Sequence, residues 1–444
     1  MGVSLNRRLL AGGFWVISGK VVTAGCDALS TVLLVRLLSE GEFGAYGLAF
    51  SLSLGGALLA QIGTQQAIVR LVAQAIGEGR GGMARAAVRS VFRLCAVGTA
   101  GVAAVLLFGG GHWLAHDLWN SPTLSSVIVT VTAWVVVSSF QVLTSEVFRG
   151  FQDLLRATIY GGVVNRVLIL LTLSVLWIEG IQIRLQGVVA ISAGATAVSL
   201  ALGVLALRRR LRELPAVEPL PSRDVMSIAT PLWINGVATF VLIQFDLWIL
   251  GAFLPENELA IYFAATRLVV LVTLGLMLVT LVVPPFIAEL YFTGERRRLE
   301  RLLRTTATVA GLPAIVVLIV FIFAGGSVLG FLYTDPYRAA APILAVLSIG
   351  RLVNVLAGSA GVTMSMTGHQ RYLMAITVST GVVSIAASLL VVRPYGAIGV
   401  AIVAGGSAAV RGVAMWLVTK RVTGMWTHVA VPRLSEVRAL LGRS

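Results

Sequence analysis

Long apolar stretches recur along the whole chain and are separated by short polar segments. Each stretch is close to the roughly 20 residues that a helix needs to cross a bilayer core about 30 Å thick. The stretches are continuous rather than alternating, which favours helices over a barrel. Pro284 and Pro285 predict a kink or break in the eighth helix. The pattern predicts twelve membrane helices, at residues 12–35, 43–66, 91–111, 123–146, 157–178, 185–207, 225–250, 259–288, 305–332, 339–366, 372–392 and 396–419.

The composition agrees with a chain that lies largely in a membrane. Of its 444 residues, 57% are hydrophobic and only 12% are charged, with a mean hydropathy of +0.93. An average soluble protein carries about 25% charged residues, so this chain has too little polar surface for a soluble fold. The high hydrophobicity also excludes intrinsic disorder, and a total of two cysteines excludes a disulfide scaffold.

The net charge of +15 is explained by orientation in the membrane rather than by nucleic-acid binding. When the N-terminus is placed in the cytoplasm, 25 of the 34 lysines and arginines fall in predicted cytoplasmic segments. The only lysines or arginines in the predicted outer segments are Arg36, Arg184, Arg338 and Arg393. Because cytoplasmic loops are enriched in lysine and arginine, we expect both termini in the cytoplasm and no nucleic-acid partner.

Three short segments recur in register between the two halves of the chain. Those beginning at Leu38, Gly150 and Gly187 are similar to those beginning at Leu254, Gly368 and Gly399. Because six helices is an even number, both copies insert the same way up, as in transporters with a parallel repeat. We therefore expect a six-helix lobe at 1–207, a basic cytoplasmic linker at 208–224, a second six-helix lobe at 225–420 and a basic cytoplasmic tail at 421–444. The alternative is a duplication that only builds a stable helix bundle.

Three segments near the N-terminus carry a family resemblance: residues 15–20 (WVISGK), 35–46 (VRLLSEGEFGAY) and 61–70 (QIGTQQAIVR). With the turns at 148–152 and 367–370, they resemble bacterial oligosaccharide flippases. These form the polysaccharide transporter (Wzx-type) branch of the multidrug/oligosaccharidyl-lipid/polysaccharide superfamily. The motifs lie at predicted helix ends, so we interpret them as structural rather than as a binding site.

The resemblance implies a fold, a substrate and a cellular setting. The fold is an all-α polytopic membrane protein with about twelve helices in two lobes, a V-shaped transporter that works by alternating access. The implied substrate is an undecaprenyl-pyrophosphate-linked oligosaccharide. It is moved from the cytoplasmic to the outer leaflet of the bacterial inner membrane for O-antigen, capsule or exopolysaccharide synthesis. The implied partners are membrane lipids, a polysaccharide polymerase and chain-length proteins; we expect no enzymatic activity, no cofactor and no metal site.

Five cations and two acids lie well inside the predicted spans. Charges within hydrocarbon usually face a cavity or a partner, and arginine offers planar, paired donors that suit phosphate. We therefore predict a cationic lumen for pyrophosphate and sugars, formed by Lys20, Arg166, Arg267, Arg351 and Arg411. Neighbouring amides are predicted to contact sugar hydroxyls, namely Gln141, Asn165, Asn235, Gln244 and Asn354. The alternative is that each cation pairs locally or extends to the membrane interface.

The two intramembrane acids, Asp27 and Asp246, are candidates for coupling transport to H+ or Na+. Buried carboxylates bind protons more readily than exposed ones. Lys20 and Asp27 are seven residues apart and share a helix face, so a loose pair between them is another interpretation. A structural ion pair or a helix-packing hydrogen bond remains equally open for either acid.

Three other functions compete with an oligosaccharide flippase. A cation-coupled multidrug exporter of the same superfamily would favour an acidic lumen, because its substrates are cations. A flippase for lipid-linked peptidoglycan precursors usually has two further helices. A membrane glycosyltransferase or polymerase would need large catalytic loops with paired acids, whereas the longest loops here are short and rich in arginine. The chain also lacks the Gly-x-x-x-x-Gly-Lys-Ser/Thr loop of an ATP-driven motor.

Overall fold

The computed structural model describes residues 2–215 and 222–429, which form helices joined by short turns. The first eleven helices are α1 (Gly2–Leu37), α2 (Glu40–Gln61), α3 (Thr64–Gly77), α4 (Gly81–Val105), α5 (Gly111–Trp113), α6 (Pro122–Ser126), α7 (Ile128–Gly150), α8 (Leu154–Thr158), α9 (Val164–Ile178), α10 (Leu185–Arg212) and α11 (Ser222–Phe253). Wider π-helical turns occupy Leu106–Gly110, Leu114–Leu118 and Ile159–Val163. The other helices are α12 (Glu256–Val282), α13 (Pro284–Phe292), α14 (Arg296–Leu332), α15 (Ala341–Leu356), α16 (Ala360–Met366) and α17 (Gln370–Thr423), with a 3-10 turn at Asp335–Ala340.

The chain forms two compact units, Met1–Ala260 and Ile261–Ser444. Within the first unit α11 packs against α2 and α3, so the division by packing falls after α11. The lobe boundary at 208–224 is inferred from the sequence repeat and stays a prediction. Residues 216–221 of the linker and 430–444 of the tail lie outside the described residues.

Eleven helices in the described ranges are long and apolar enough to cross a membrane. The last of them, α17, has 54 residues, which at 1.5 Å per residue gives about 80 Å, far more than a bilayer core of about 30 Å. It is divided at Gly396, whose φ of 56° and ψ of −144° are not helical. The halves of α17 correspond to the predicted spans 372–392 and 396–419. The described residues therefore contain twelve apolar helical segments long enough to cross a membrane, as the sequence predicts.

Several predicted spans are interrupted by residues that end a helix. The predicted break at Pro284 is confirmed, because a new helix begins there. The predicted spans 43–66 and 339–366 are too long, because each helix ends two residues before a glycine in the left-handed conformation. These glycines are Gly63 and Gly358, both with a φ of 74°, where a residue with a side chain would be strained.

The motif at 35–46 caps α2 and joins it to neighbouring elements. The backbone N–H of Ser39 donates to the Glu42 carboxylate at 3.1 Å, and the Glu42 N–H donates back to the Ser39 hydroxyl, which forms a capping box. Glu42 also accepts a hydrogen bond from the backbone N–H of Leu185 at 3.1 Å, at the start of α10. Gly44 lies directly against the backbone of Glu256, where a Cβ has no room. These contacts are structural, as the sequence predicted.

A charged cavity in the first unit as the candidate functional site

A polar cavity of about 150 Å³ lies in the first unit between α1, α7 and the segment from α8 to α9. Three cations and one acid line it, and small or hydroxyl-bearing residues form much of the remaining wall. The charged residues are Lys20, Glu146, Arg149 and Arg166; the hydroxyls are those of Thr23, Ser145 and Thr158. Two of the five cations predicted from sequence, Lys20 and Arg166, therefore share one cavity.

A π-helical turn at Ile159–Val163 shapes one wall of the cavity. Its two central glycines allow close approach: a Cβ on Gly162 would lie 2.8 Å from Nη1 of Arg166, and one on Gly161 would overlap the Ser145 hydroxyl. Single π-helical turns are rare and are often found at functional sites. The turn thus brings a guanidinium and a hydroxyl to the same space.

The carbonyl of Tyr160 within this turn is held by two side chains from neighbouring helices. The Gln141 amide donates to it at 3.0 Å, and the Ser199 hydroxyl donates at 2.9 Å. These bonds join α7 and α10 to the π-helical turn and stabilise a backbone group that a regular helix would satisfy internally. Gln141, which the sequence suggested as a sugar contact, is engaged in this packing.

Two ion pairs set the charge of the cavity. Nε of Arg166 donates to both carboxylate oxygens of Asp27, at 2.8 and 2.9 Å. Nη1 of Arg149 donates to Oε1 of Glu146 at 2.8 Å. Lys20 lies within electrostatic range of all four of these residues. Three cations against two carboxylates leave a local surplus of positive charge, and Asp27 pairs with Arg166 rather than loosely with Lys20.

Sequence reasoning missed Glu146 and Arg149. The predicted fourth span, 123–146, ends at Glu146, and the charge count assigns Arg149 to the cytoplasm. In the structure α7 continues to Gly150, and both residues lie on the helix that lines the cavity. The available signal was their spacing of three, which places an acid and a base on one helix face.

The other predicted cations lie in the second unit. Arg351 on α15 and Arg411 on α17 interact electrostatically, and Asn354 packs beside them, since a Cβ on Gly412 would lie 2.8 Å from its Cα. The guanidinium of Arg267 lies 4.2 Å from the ring centroid of Phe263. Arg351, Asn354 and Arg411 thus form a second polar group within the second unit.

The remaining predicted residues have varied surroundings in the first unit. The Gln244 amide donates to the hydroxyl of Ser51 at 2.7 Å and so joins α11 to α2. Asn235 is exposed, and Oδ1 of Asp246 accepts the backbone N–H of the next residue at 2.8 Å. Asn165 precedes Arg166 and has a buried side-chain oxygen. Gln244 therefore serves helix packing, while Asn165 is the predicted amide next in sequence to a cavity residue.

Comparison with known proteins places this fold in a family. The sequence profile described as "Polysaccharide biosynthesis protein" matches residues 9–291. The chain belongs to this family. No curated protein matches the sequence significantly.

Solved structures similar to this family member are transporters and a flippase. An inward-facing multidrug resistance MATE family transporter of the MOP superfamily aligns with a TM-score of 0.74 and 14% identity, covering 90% of this chain and 94% of the other. The inward closed form of the lipid II flippase MurJ aligns with a TM-score of 0.66 and 12% identity, covering 91% and 87%. A MOP superfamily transporter from Pyrococcus furiosus aligns with a TM-score of 0.62 and 13% identity, covering 94% and 95%.

These likenesses establish the fold of MOP superfamily transporters for this multi-pass membrane protein of the polysaccharide biosynthesis family. They confirm the all-helical architecture, and the profile match confirms the family resemblance inferred from the N-terminal motifs. At 14% and 12% identity these structures show similarity of fold only. The fold is compatible with both a MATE-like and a MurJ-like transporter. Because the same fold occurs in transporters of different substrates, the substrate has to be inferred from the side chains of this protein.

Proposed function

We propose that this protein is a flippase that moves polyprenyl-pyrophosphate-linked oligosaccharide repeat units from the cytoplasmic to the outer leaflet of the bacterial inner membrane. The product would supply synthesis of O-antigen, capsule or exopolysaccharide, and transport would proceed by alternating access. The observation that carries the proposal is the convergence of Lys20, Arg149 and Arg166 on one cavity inside a membrane-spanning unit. Membership of the polysaccharide biosynthesis family supports the same conclusion.

The cavity suits an anionic headgroup chemically. A pyrophosphate carries at least two negative charges, and guanidinium groups bind such oxygens with paired, charge-assisted hydrogen bonds. Lys20 adds a point charge, and the Thr158 hydroxyl adds a donor at the same wall. The Ser145 hydroxyl already donates to the carbonyl of Ala157 at 2.8 Å and leaves its oxygen as an acceptor. Arg351 and Arg411 supply a second cationic group in the other unit, and the polyprenyl chain stays in the bilayer.

The place of the cavity along its helices supports loading from the inner leaflet. In the orientation that the arginine distribution predicts, α7 ends and α8 begins on the cytoplasmic side. Arg149 lies at the end of α7 and Thr158 at the end of the short α8. A headgroup in the cytoplasmic leaflet therefore reaches these residues near the membrane surface, before any movement across the bilayer.

A flippase for lipid-linked peptidoglycan precursors is the second candidate. The fold is similar to that of the lipid II flippase MurJ, and such a substrate has the same lipid and pyrophosphate chemistry. A multidrug exporter is disfavoured, because cationic substrates would be repelled by the positive surplus around Lys20 and Arg166. H+ or Na+ remain the proposed coupling ions, with Asp246 and the Arg166-paired Asp27 as the candidate carboxylates. A polysaccharide polymerase and chain-length proteins are proposed partners.

Reconstitution into liposomes tests the proposed function. The full chain is incorporated with a fluorescent polyprenyl-pyrophosphate oligosaccharide in both leaflets, and a membrane-impermeant quencher reports the outer pool. We expect complete quenching with the wild type and half quenching with an Arg166→Ala variant. Equal quenching in protein-free and protein-containing liposomes would refute the flippase. Faster movement of a lipid-linked muropeptide than of the oligosaccharide would favour the second candidate.

A further inference from the structure

We infer that Asp27 is a positioning residue, which holds Arg166 so that the outer edge of its guanidinium is available to a diphosphate. The diphosphate as ligand rests on the proposed function. Asp27 does not line the cavity itself; Arg166 does. The carboxylate therefore acts on the site through the arginine.

The hydrogen bonds between the two residues use only Nε of the guanidinium. Both carboxylate oxygens of Asp27 accept from Nε of Arg166, at 2.8 and 2.9 Å. Nη1 has a longer bond, at 3.4 Å, to the carbonyl of Gly162 in the π-helical turn. A guanidinium has five N–H donors in a fixed plane, so engagement of Nε leaves the Nη edge as the fork that recognises phosphate oxygens.

The face of α1 is arranged for this role. Lys20, Thr23 and Asp27 are spaced three and four residues apart and share one face of the helix. The first two line the cavity, and Asp27 lies one turn further along, beside α9. A single helix thus supplies a cation and a hydroxyl to the cavity and, just outside it, the carboxylate that orients the next cation.

Ordering a long side chain in advance improves binding. An arginine without a partner loses rotamer freedom when a ligand immobilises it, and this loss weakens binding. A carboxylate that already holds the arginine removes that cost but also repels the incoming anion. The two effects are separable, because the Asp27→Asn variant keeps an oxygen acceptor for Nε without the charge, whereas the Asp27→Ala variant keeps neither.

The test compares Asp27→Asn with Asp27→Ala in the purified full-length protein, with inorganic pyrophosphate as the probe in isothermal titration. Positioning predicts that Asp27→Ala binds pyrophosphate about two- to tenfold more weakly than Asp27→Asn. In an Arg166→Ala background the difference between the two variants disappears. Equal affinities of Asp27→Ala and Asp27→Asn when Arg166 is retained would overturn the inference. Absence of pyrophosphate binding by the wild type would overturn it as well.

Controls separate positioning from folding and from the proposed function. Thermal unfolding is measured for every variant, and the exposed Asp335, which pairs with Arg338, is replaced by Asn and Ala in parallel; these two variants should bind equally. If pyrophosphate binding follows the expected order but liposomes show no flipping, the flippase proposal fails and the inference stands. If wild-type flipping is confirmed and Asp27→Ala matches Asp27→Asn in affinity, the inference alone fails.

Discussion

Glu146 and Arg149 face each other across one turn of α7, with 2.8 Å between Oε1 and Nη1. The glutamate side chain is only 17% exposed, whereas the arginine is 47% exposed. Loss of Arg149 therefore leaves a mostly buried carboxylate without its hydrogen-bonded partner. Such a loss is more harmful than removal of both charges together.

This asymmetry predicts the stability of three variants. Arg149→Gln should lower stability by about 1–3 kcal/mol, and the double variant Glu146→Gln/Arg149→Gln should recover most of it. Thermal unfolding in detergent measures both. The matched control is Arg156→Gln, which breaks the more exposed pair with Asp153 and should change the unfolding temperature little. Equal unfolding temperatures for the Arg149 single and double variants would contradict the prediction.

Gly162→Ala is predicted to impair transport more than stability. The added Cβ meets Nη1 of Arg166 at 2.8 Å, and this far end of a flexible side chain moves aside instead of the backbone. A displaced guanidinium should reduce the flipping rate in liposomes about tenfold or more. Gly101→Ala in α4 adds a Cβ into open space and should leave the rate unchanged. Identical rates for the two variants would show that the position of Arg166 is immaterial.

The sequence predicted the helices well because membrane helices are set by length and hydropathy, which are local properties. It also selected Lys20 and Arg166, since charges inside apolar runs are costly and need a reason. It missed Glu146, because the predicted span ends four residues too early and so places a mostly buried acid at the edge of the membrane. The partner of Asp27 was not predictable, because Arg166 is 139 residues away in sequence. Their ion pair depends on how α9 packs against α1.

Gly396 is predicted to be intolerant of a side chain. Its φ of 56° and ψ of −144° lie in a region of backbone space that essentially only glycine occupies. Gly396→Ala should therefore destabilise the protein by about 1–3 kcal/mol, seen as a lower unfolding temperature. Gly406→Ala in the same helix α17 meets no atom within 4 Å and should be neutral or stabilising, because alanine favours helix. Equal effects at the two sites would contradict a break at Gly396.

His428, which follows the last membrane helix, is predicted to make stability depend on pH. Trp416 donates to Nδ1 of His428 at 3.1 Å, which requires a neutral ring, and Trp426 packs edge-on at 5.2 Å. Burial lowers the pKa of His428 from its ordinary value; the nearby Arg304 lowers it further, and Glu300 opposes this.

The sign of the effect follows from these contacts. The unfolded chain binds a proton at His428 near pH 6.5, whereas the folded protein binds it only at lower pH. The contribution of neutral His428 to the stability of the protein is therefore fully present above about pH 6.5. It is lost as the pH falls from there towards the lower pKa of the folded protein. His428→Asn keeps an acceptor for Trp416 but does not titrate, so its unfolding temperature should fall less between about pH 7.5 and about pH 5.5. His112→Asn, at a position bonded to Ser125, is the control and should keep the wild-type slope. Parallel slopes for the wild type and His428→Asn would assign the acid sensitivity to other groups.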